Sequence, residues 1–211
     1  MPRPTAKTFF TDDEKARIEA AVREAEARTS GEIVPMVVDA SYDYHRAEIL
    51  GGGLLSLALG VTLSWAFGGS SVWIFLPIFV LGYFPFKILI RNLPALKRRL
   101  LHPAEMAAEV EEKTLVSFLE RGLHDTRDHT GILILISLFE RRVHVLADRG
   151  IDKSVPPETW QEIVAMVTAG IRENRTCESL CAAIKRCGDL LEKNFPVKDD
   201  DTDELPNLIL E

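Results

Sequence analysis

The chain has 211 residues, 46% of them hydrophobic, and a formal net charge of -7, enough for one medium domain or a smaller domain with an appendage. That acidic balance argues against a nucleic-acid-binding role. The three cysteines, Cys177, Cys181 and Cys187, are an odd number and imply no disulfide framework.

In chain order, Phe9 and Phe10 precede Thr11, which stands three residues before Glu14 at capping-box spacing. Ile18, Ala21, Val22 and Ala25 then recur on one face, predicting a helix that ends by Ser30 and Gly31. The stretch EIVPMVV, Glu32 to Val38, predicts a strand, and Pro35, which has no N–H for a ladder, places it at an edge or an irregular position.

From Ile49 to Phe86 there is no Asp, Glu, Lys or Arg. A helix rises about 1.5 Å per residue, so about 20 residues cross a hydrocarbon core of about 30 Å, and this span holds two crossings. They are expected at 49–67 and 72–90, within a hairpin over 48–91, with Gly68, Gly69, Ser70 and Ser71 as the turn. Neither crossing shows the polar stripe of a soluble helix. Trp65 and Trp73 flank the turn as interfacial aromatics do, Lys87 can snorkel, and Pro77 and Pro85 are tolerated in membrane helices. Arg46 before the pair, and Arg91, Lys97, Arg98 and Arg99 after it, predict that both flanks are cytoplasmic and that the last four meet anionic headgroups. The expected location is a bacterial inner or plasma membrane, both termini inside. The apolar run starts too far along the chain for a secretory signal, and neither end shows a lipidation motif.

Beyond the hairpin, Pro103 opens a predicted helix to about Leu123, with Leu115, Phe118, Leu119 and Gly122 on one face. Ile132 to Leu138 is an almost continuous apolar run, as in a strand covered on both faces. Val143 to Ala147 follows as the second arm of a hairpin. Pro156 and Pro157 open a helix carrying Trp160, Ile163, Val164, Val167 and Ile171. A last helix aligns Cys177, Leu180, Ile184, Cys187 and Leu191. Residues 197–211 are an acidic tail ending in Leu208, Ile209 and Leu210, expected as a partly ordered surface segment.

Neither flank buries a core alone: the first has one helix and one strand, and the second has strands whose sheet gains from another. The expected fold class is therefore α/β, a small sheet flanked by helices and interrupted by the hairpin, with domain parts at 9–47 and 103–196. The order TSGEIVPMVV, TGILILISLFERRVHVLADRGI, a Trp-containing helix and SLCAAIKRCGDLL resembles the TPM-domain family, which includes thylakoid acid-phosphatase and photosystem II repair proteins. Its markers here are Gly31 with Glu32, Thr130 with Gly131, Arg142, and Asp148 with Gly150. The resemblance covers both domain parts, leaves out the hairpin, and implies a compact TPM-like α/β/α sheet domain. It further implies a weak phosphatase, a calcium-binding member, or an accessory module in membrane-protein maintenance. Where the family has GYG followed by Glu, this chain has ADRGID.

Phosphate-ester hydrolysis needs a nucleophile or activated water with cations or donors for the developing charge. No Walker-type loop is present. If the strands from Glu32 and Ile132 run parallel, Asp39 and Glu140 project at one sheet end, and Glu32, Thr130 and Asp148 gather at the other. Glu32 and Asp148 are thus the candidate ligands for a divalent cation such as calcium. The plainer reading is solvated strand-end carboxylates with a turn contact to Arg149. His124, Asp125, Asp128 and His129 have ligand chemistry but read as a polar loop. Cys177 and Cys181, one helical turn apart, could hold a soft metal but read as small core side chains. The favoured function is a noncatalytic binding or accessory module for membrane-protein partners, and the alternative is a weak divalent-metal-dependent acid phosphatase.

Overall fold

The computed structural model describes residues 5–68, 71–127, 129–152, 155–197 and 205–211. Gly69 and Ser70 of the expected turn, Asp128, and the acidic run over 198–204 lie outside the described residues. The chain divides into two compact units, one made of the residues up to Ser41 together with Ala107–Glu211, the other of Tyr42–Met106.

The first unit is mixed α/β, a four-stranded sheet flanked by helices. After the short α1 (Ala6–Phe9), α2 (Asp12–Glu26) starts at the expected box: the Thr11 hydroxyl accepts the Glu14 N–H at 3.3 Å and the Glu14 carboxylate accepts the Thr11 N–H at 2.8 Å. Strand β1 (Glu32–Val38) pairs in parallel with β2 (Gly131–Ser137), Glu32 opposite Gly131. β2 pairs antiparallel with β3 (Arg142–Ala147), so strands from both flanks form one sheet. The sheet buries both faces of β2. Ile132, Ile134 and Ile136 join a core with Ile18, Val22, Ile163, Val167, Leu180 and Ile184 from the helices, while Leu133 and Leu135 join Val34, Met36, Val110 and Phe118 in a second core on the opposite face.

Four local features depart from the sequence reading. On the helix after the apolar pair, the expected face of Leu115, Phe118, Leu119 and Gly122 is not the buried one: Leu115 and Leu119 are exposed, and the buried apolar residues are Met106, Val110 and Phe118. The tail supplies a strand, β4 (Ile209–Leu210), parallel to β1. Its apolar residues are worth more at the sheet than in water, and the Glu211 N–H donates to Val37 O while Glu211 O accepts the Asp39 N–H, both at 2.9 Å. β1 is therefore an inner strand, in the order β3-β2-β1-β4. Pro35 is nonetheless placed where an edge residue belongs, because β4 reaches only Met36 and Val37, and nearer the strand start the Glu26 carboxylate takes the Ile33 N–H at 2.9 Å. The helix after the apolar pair, Pro103–Glu120, ends at Glu120 rather than near Leu123. Gly122, at φ 75°, is its C-terminal cap, with Leu123 N–H to Phe118 O at 3.1 Å and Gly122 N–H to Leu119 O at 3.2 Å. Leu123 and Phe118 then meet in the second core.

The second unit is an antiparallel pair, α3 (His45–Gly68) and α4 (Val72–Asn92), each long and apolar enough to cross a membrane, followed by the short α5 (Pro94–Arg99). Gly52, Ser56, Gly60 and Ser64 recur every four residues on α3 and make the seam. A side chain at Gly52 would meet the Lys87 backbone at 3.1 Å, and one at Gly60 the Phe75 ring at 3.0 Å. Ser56 donates to Phe79 O at 2.5 Å and Ser64 to Ser71 O at 3.3 Å. Small residues let the two backbones approach, and hydroxyls bridge them, as in helix pairs packed in an apolar medium. Larger side chains turn outward: Trp65 is 82% exposed and Trp73 85%.

Helix α6 (Pro103–Glu120) belongs to the first unit from Ala107 on, and that unit also holds α7 (Arg149–Asp152) after β3, α8 (Pro157–Arg172) and α9 (Thr176–Asn194). On β3, His144 is half-buried, and burial lowers its pKa below the ordinary 6.5 although Glu111 pulls the other way. The folded chain thus binds fewer protons here than the unfolded chain. Its contribution is complete above about pH 6.5 and is lost as pH falls through 6.5 towards the folded value. Urea midpoints of the detergent-solubilised chain should decline over that interval, less steeply for His144→Gln; equal slopes for both proteins would contradict this assignment.

Candidate functional site

The start of β2 is tied down by short-range bonds before any site forms. Thr130 donates its hydroxyl to Ser30 O at 3.0 Å and its N–H to the Thr126 hydroxyl at 3.1 Å. The Glu32 N–H reaches Thr130 O at 3.2 Å, and the Asp148 N–H reaches Gly131 O at 2.9 Å. Glu32 and Asp148 therefore end the two strands that border Gly131, at one end of the sheet, as parallel pairing requires. Leu123 fills the space over Gly131: a side chain there would start 2.5 Å from the Leu123 carbonyl oxygen.

Asp148 is not a solvated carboxylate. It is 8% exposed, and one oxygen accepts the Arg149 N–H at 2.6 Å. The other lies 3.2 Å from His129 Nδ1, which is also 3.0 Å from His124 O. On the far side of the ring, Arg149 Nη2 lies 2.8 Å from His129 Nε2. A guanidinium only donates, so this arrangement gives Nε2 the acceptor role and Nδ1 the donor role, with the ring between a carboxylate and a cation. The turn contact expected for Arg149 is present; the participation of His129 was not legible. His129 sits at φ 56°, a left-handed conformation that brings a loop residue back to the strand end. The signal available was a histidine two residues before a buried strand and an Asp-Arg pair at the end of the next one.

This cluster presents a guanidinium group suited to anionic recognition. A calcium ion takes about six to eight oxygen ligands. Each Asp148 oxygen accepts from a protein donor, and Arg149 brings a positive charge beside them. Among the described residues no three His, Cys, Asp or Glu gather in a metal-holding group.

The other expected candidates are dispersed. At the opposite sheet end, Asp39 accepts the Ala6 N–H at 2.5 Å, and the buried Glu140 accepts the Ser41 N–H at 3.0 Å and the Ser137 hydroxyl. Both carboxylates brace backbone there. His124 Nε2 pairs with its neighbour Asp125 at 3.4 Å. Of the four residues assigned to headgroups, Arg91 and Arg99 are exposed and Arg98 is half-buried. Lys97 is turned inward, 2.7 Å from Glu48 and 2.5 Å from Asp43 O.

Comparison with protein-family profiles finds no match, and no curated protein matches the chain. Among solved structures, the chain is similar to the NMR structure of the BA42 protein from the psychrophilic bacterium Bizionia argentinensis. The TM-score is 0.60 at 20% identity, over 96% of this chain and 94% of that one. At that identity the likeness speaks to fold alone.

Proposed function

We propose that the chain is a membrane-anchored TPM-domain protein whose α/β domain is cytoplasmic and serves as a noncatalytic binding or accessory module for membrane-protein partners or their maintenance. The observation that carries this reading is the pairing of β1 with β2 along their whole length, although α3 and α4 lie between them in sequence. Strands that share a sheet lie on one side of a bilayer, so an intervening membrane segment crosses an even number of times. Two crossings satisfy this, and the outward Trp65, Phe67, Trp73 and Leu81 call for an apolar surrounding. Arg91 and Arg99 are the exposed cations for anionic headgroups, with Arg98 beside them and Lys97 as a more distant contributor.

Reporter fusions at the extreme N-terminus and after Ile151 should both report the cytoplasmic face, and the protein should stay with membranes through an alkaline carbonate wash. Fusions on opposite faces would overturn the reading. Crosslinking in native membranes should then capture membrane-protein partners.

A second reading, a weak divalent-metal-dependent acid phosphatase, draws on the Arg149 guanidinium beside Asp148, which suits a phosphate oxygen. Purified protein assayed on a phosphomonoester panel separates the two. Metal-dependent turnover lost in Glu32→Ala and Asp148→Ala would favour the enzyme; no turnover favours the accessory module.

A further inference from the structure

Helices α2 and α9 enclose a groove of about 240 Å³ lined by Glu24, Arg28, Cys181, Lys185 and neighbouring alanines. Cys181 is partly exposed on its wall, and Cys177 lies one turn earlier on the same helix. Both thiols face the same stretch of α2. Cys177 Sγ donates to Glu14 O at 3.7 Å and Cys181 Sγ to Arg17 O at 3.9 Å, carbonyls themselves less than one turn apart.

Positions four apart on a helix hold their Cβ atoms about 5–6 Å apart. A disulfide requires about 3.5–4.5 Å, so this pair does not close into one without unwinding α9. A single ion between two sulfurs suits the spacing better, since two metal–thiolate bonds of about 2.3 Å, the zinc–thiolate length, span about one turn. The nearby Glu14 carboxylate is committed to the Thr11 cap, leaving two sulfur ligands. Two soft thiolates without a hard third ligand favour a soft, low-coordinate ion over zinc or calcium.

We infer that Cys177 and Cys181 form a two-thiol site for one soft monovalent cation, of which Cu(I) is the biological example, entered through the groove at Cys181. Binding replaces both S–H protons: one cation joins two thiolates, two protons leave to solvent, and the centre carries one negative charge. Arg17 and Lys185 stand beside the seam and the groove to offset it. Cys187, fully buried and pushed up to about 12 by burial, has no such opening.

The test is anaerobic titration of the detergent-solubilised full chain with Cu(I) against a chromogenic copper(I) chelator, with proton release followed in parallel. The wild type should withhold one equivalent, release about two protons and show a two-sulfur shell by X-ray absorption. Cys181→Ala and Cys177→Ala should each weaken retention about 100-fold, the loss when a chelating pair becomes one ligand, and Cys187→Ala should retain it fully. Circular dichroism melts verify folding, and the half-exposed Cys181 supplies the variant least able to disturb the core. Retention by the wild type no better than by the Cys177→Ala/Cys181→Ala double variant, or loss in Cys187→Ala alone, would overturn the assignment.

Discussion

Gly131→Val is expected to destabilise the sheet domain by about 3 kcal/mol or more, the upper range for overpacking a well-filled interior. A first side-chain atom there would lie 2.5 Å from Leu123 O and 3.1 Å from Leu123 Cβ. Neither can yield cheaply. Leu123 is fully buried, and its N–H closes the end of α6 on Phe118 O. Moving Gly131 instead disturbs both the pairing to Glu32 and the bond that accepts the Asp148 N–H. Chemical denaturation in detergent should show a lowered midpoint with an unchanged slope. Gly122→Ala, which strains only a left-handed backbone, should cost about 1 kcal/mol. A Gly131→Val midpoint equal to wild type would mean that the Leu123 turn does not rest on the strand.

The second large effect is expected at Lys97. Its side chain is 12% exposed and that of Glu48 8%, with 2.7 Å between the charges. Removing one partner of such a pair leaves a buried charge uncompensated, typically at about 3–5 kcal/mol, whereas replacing both with apolar residues is often neutral. Lys97→Met should therefore lower thermal stability in detergent sharply, and Lys97→Met/Glu48→Leu should recover most of it. Additive losses in the double variant would show that the pair is not coupled. The exposed Arg91 and Arg99 should behave oppositely: their Gln variants leave stability unchanged and lower partition onto anionic vesicles, by about 1 kcal/mol per charge.

The apolar pair, β1 and β2 were legible because each announces itself locally: a long charge-free span, and apolar runs of strand length. The helices α8 and α9 were legible from apolar periodicity alone: of the residues it picked out, Ile163, Val167, Cys177, Leu180, Ile184, Cys187 and Leu191 are buried, while Trp160, Val164 and Ile171 are half-buried. What escaped depends on partners distant in sequence. Two residues of strand after an acidic run carry too little pattern to predict β4, whose existence is decided by the open side of β1. Lys97 has the composition of an interfacial anchor, and only tertiary structure brings it to Glu48. At the candidate site, the position of Asp148 followed from strand order, but its burial and its histidine did not. A left-handed residue at His129 is a backbone choice that composition does not reveal.

The order of the strands along the chain also constrains biosynthesis. β1 emerges from the ribosome first and cannot find β2 until α3 through α6 have been made, and β4 arrives last. At about 5–20 residues per second, that leaves a mostly apolar heptapeptide waiting for several seconds with no sheet to join. Pro35 interrupts that heptapeptide, and a proline in such a run discourages the waiting segment from pairing with a copy of itself on a neighbouring nascent chain.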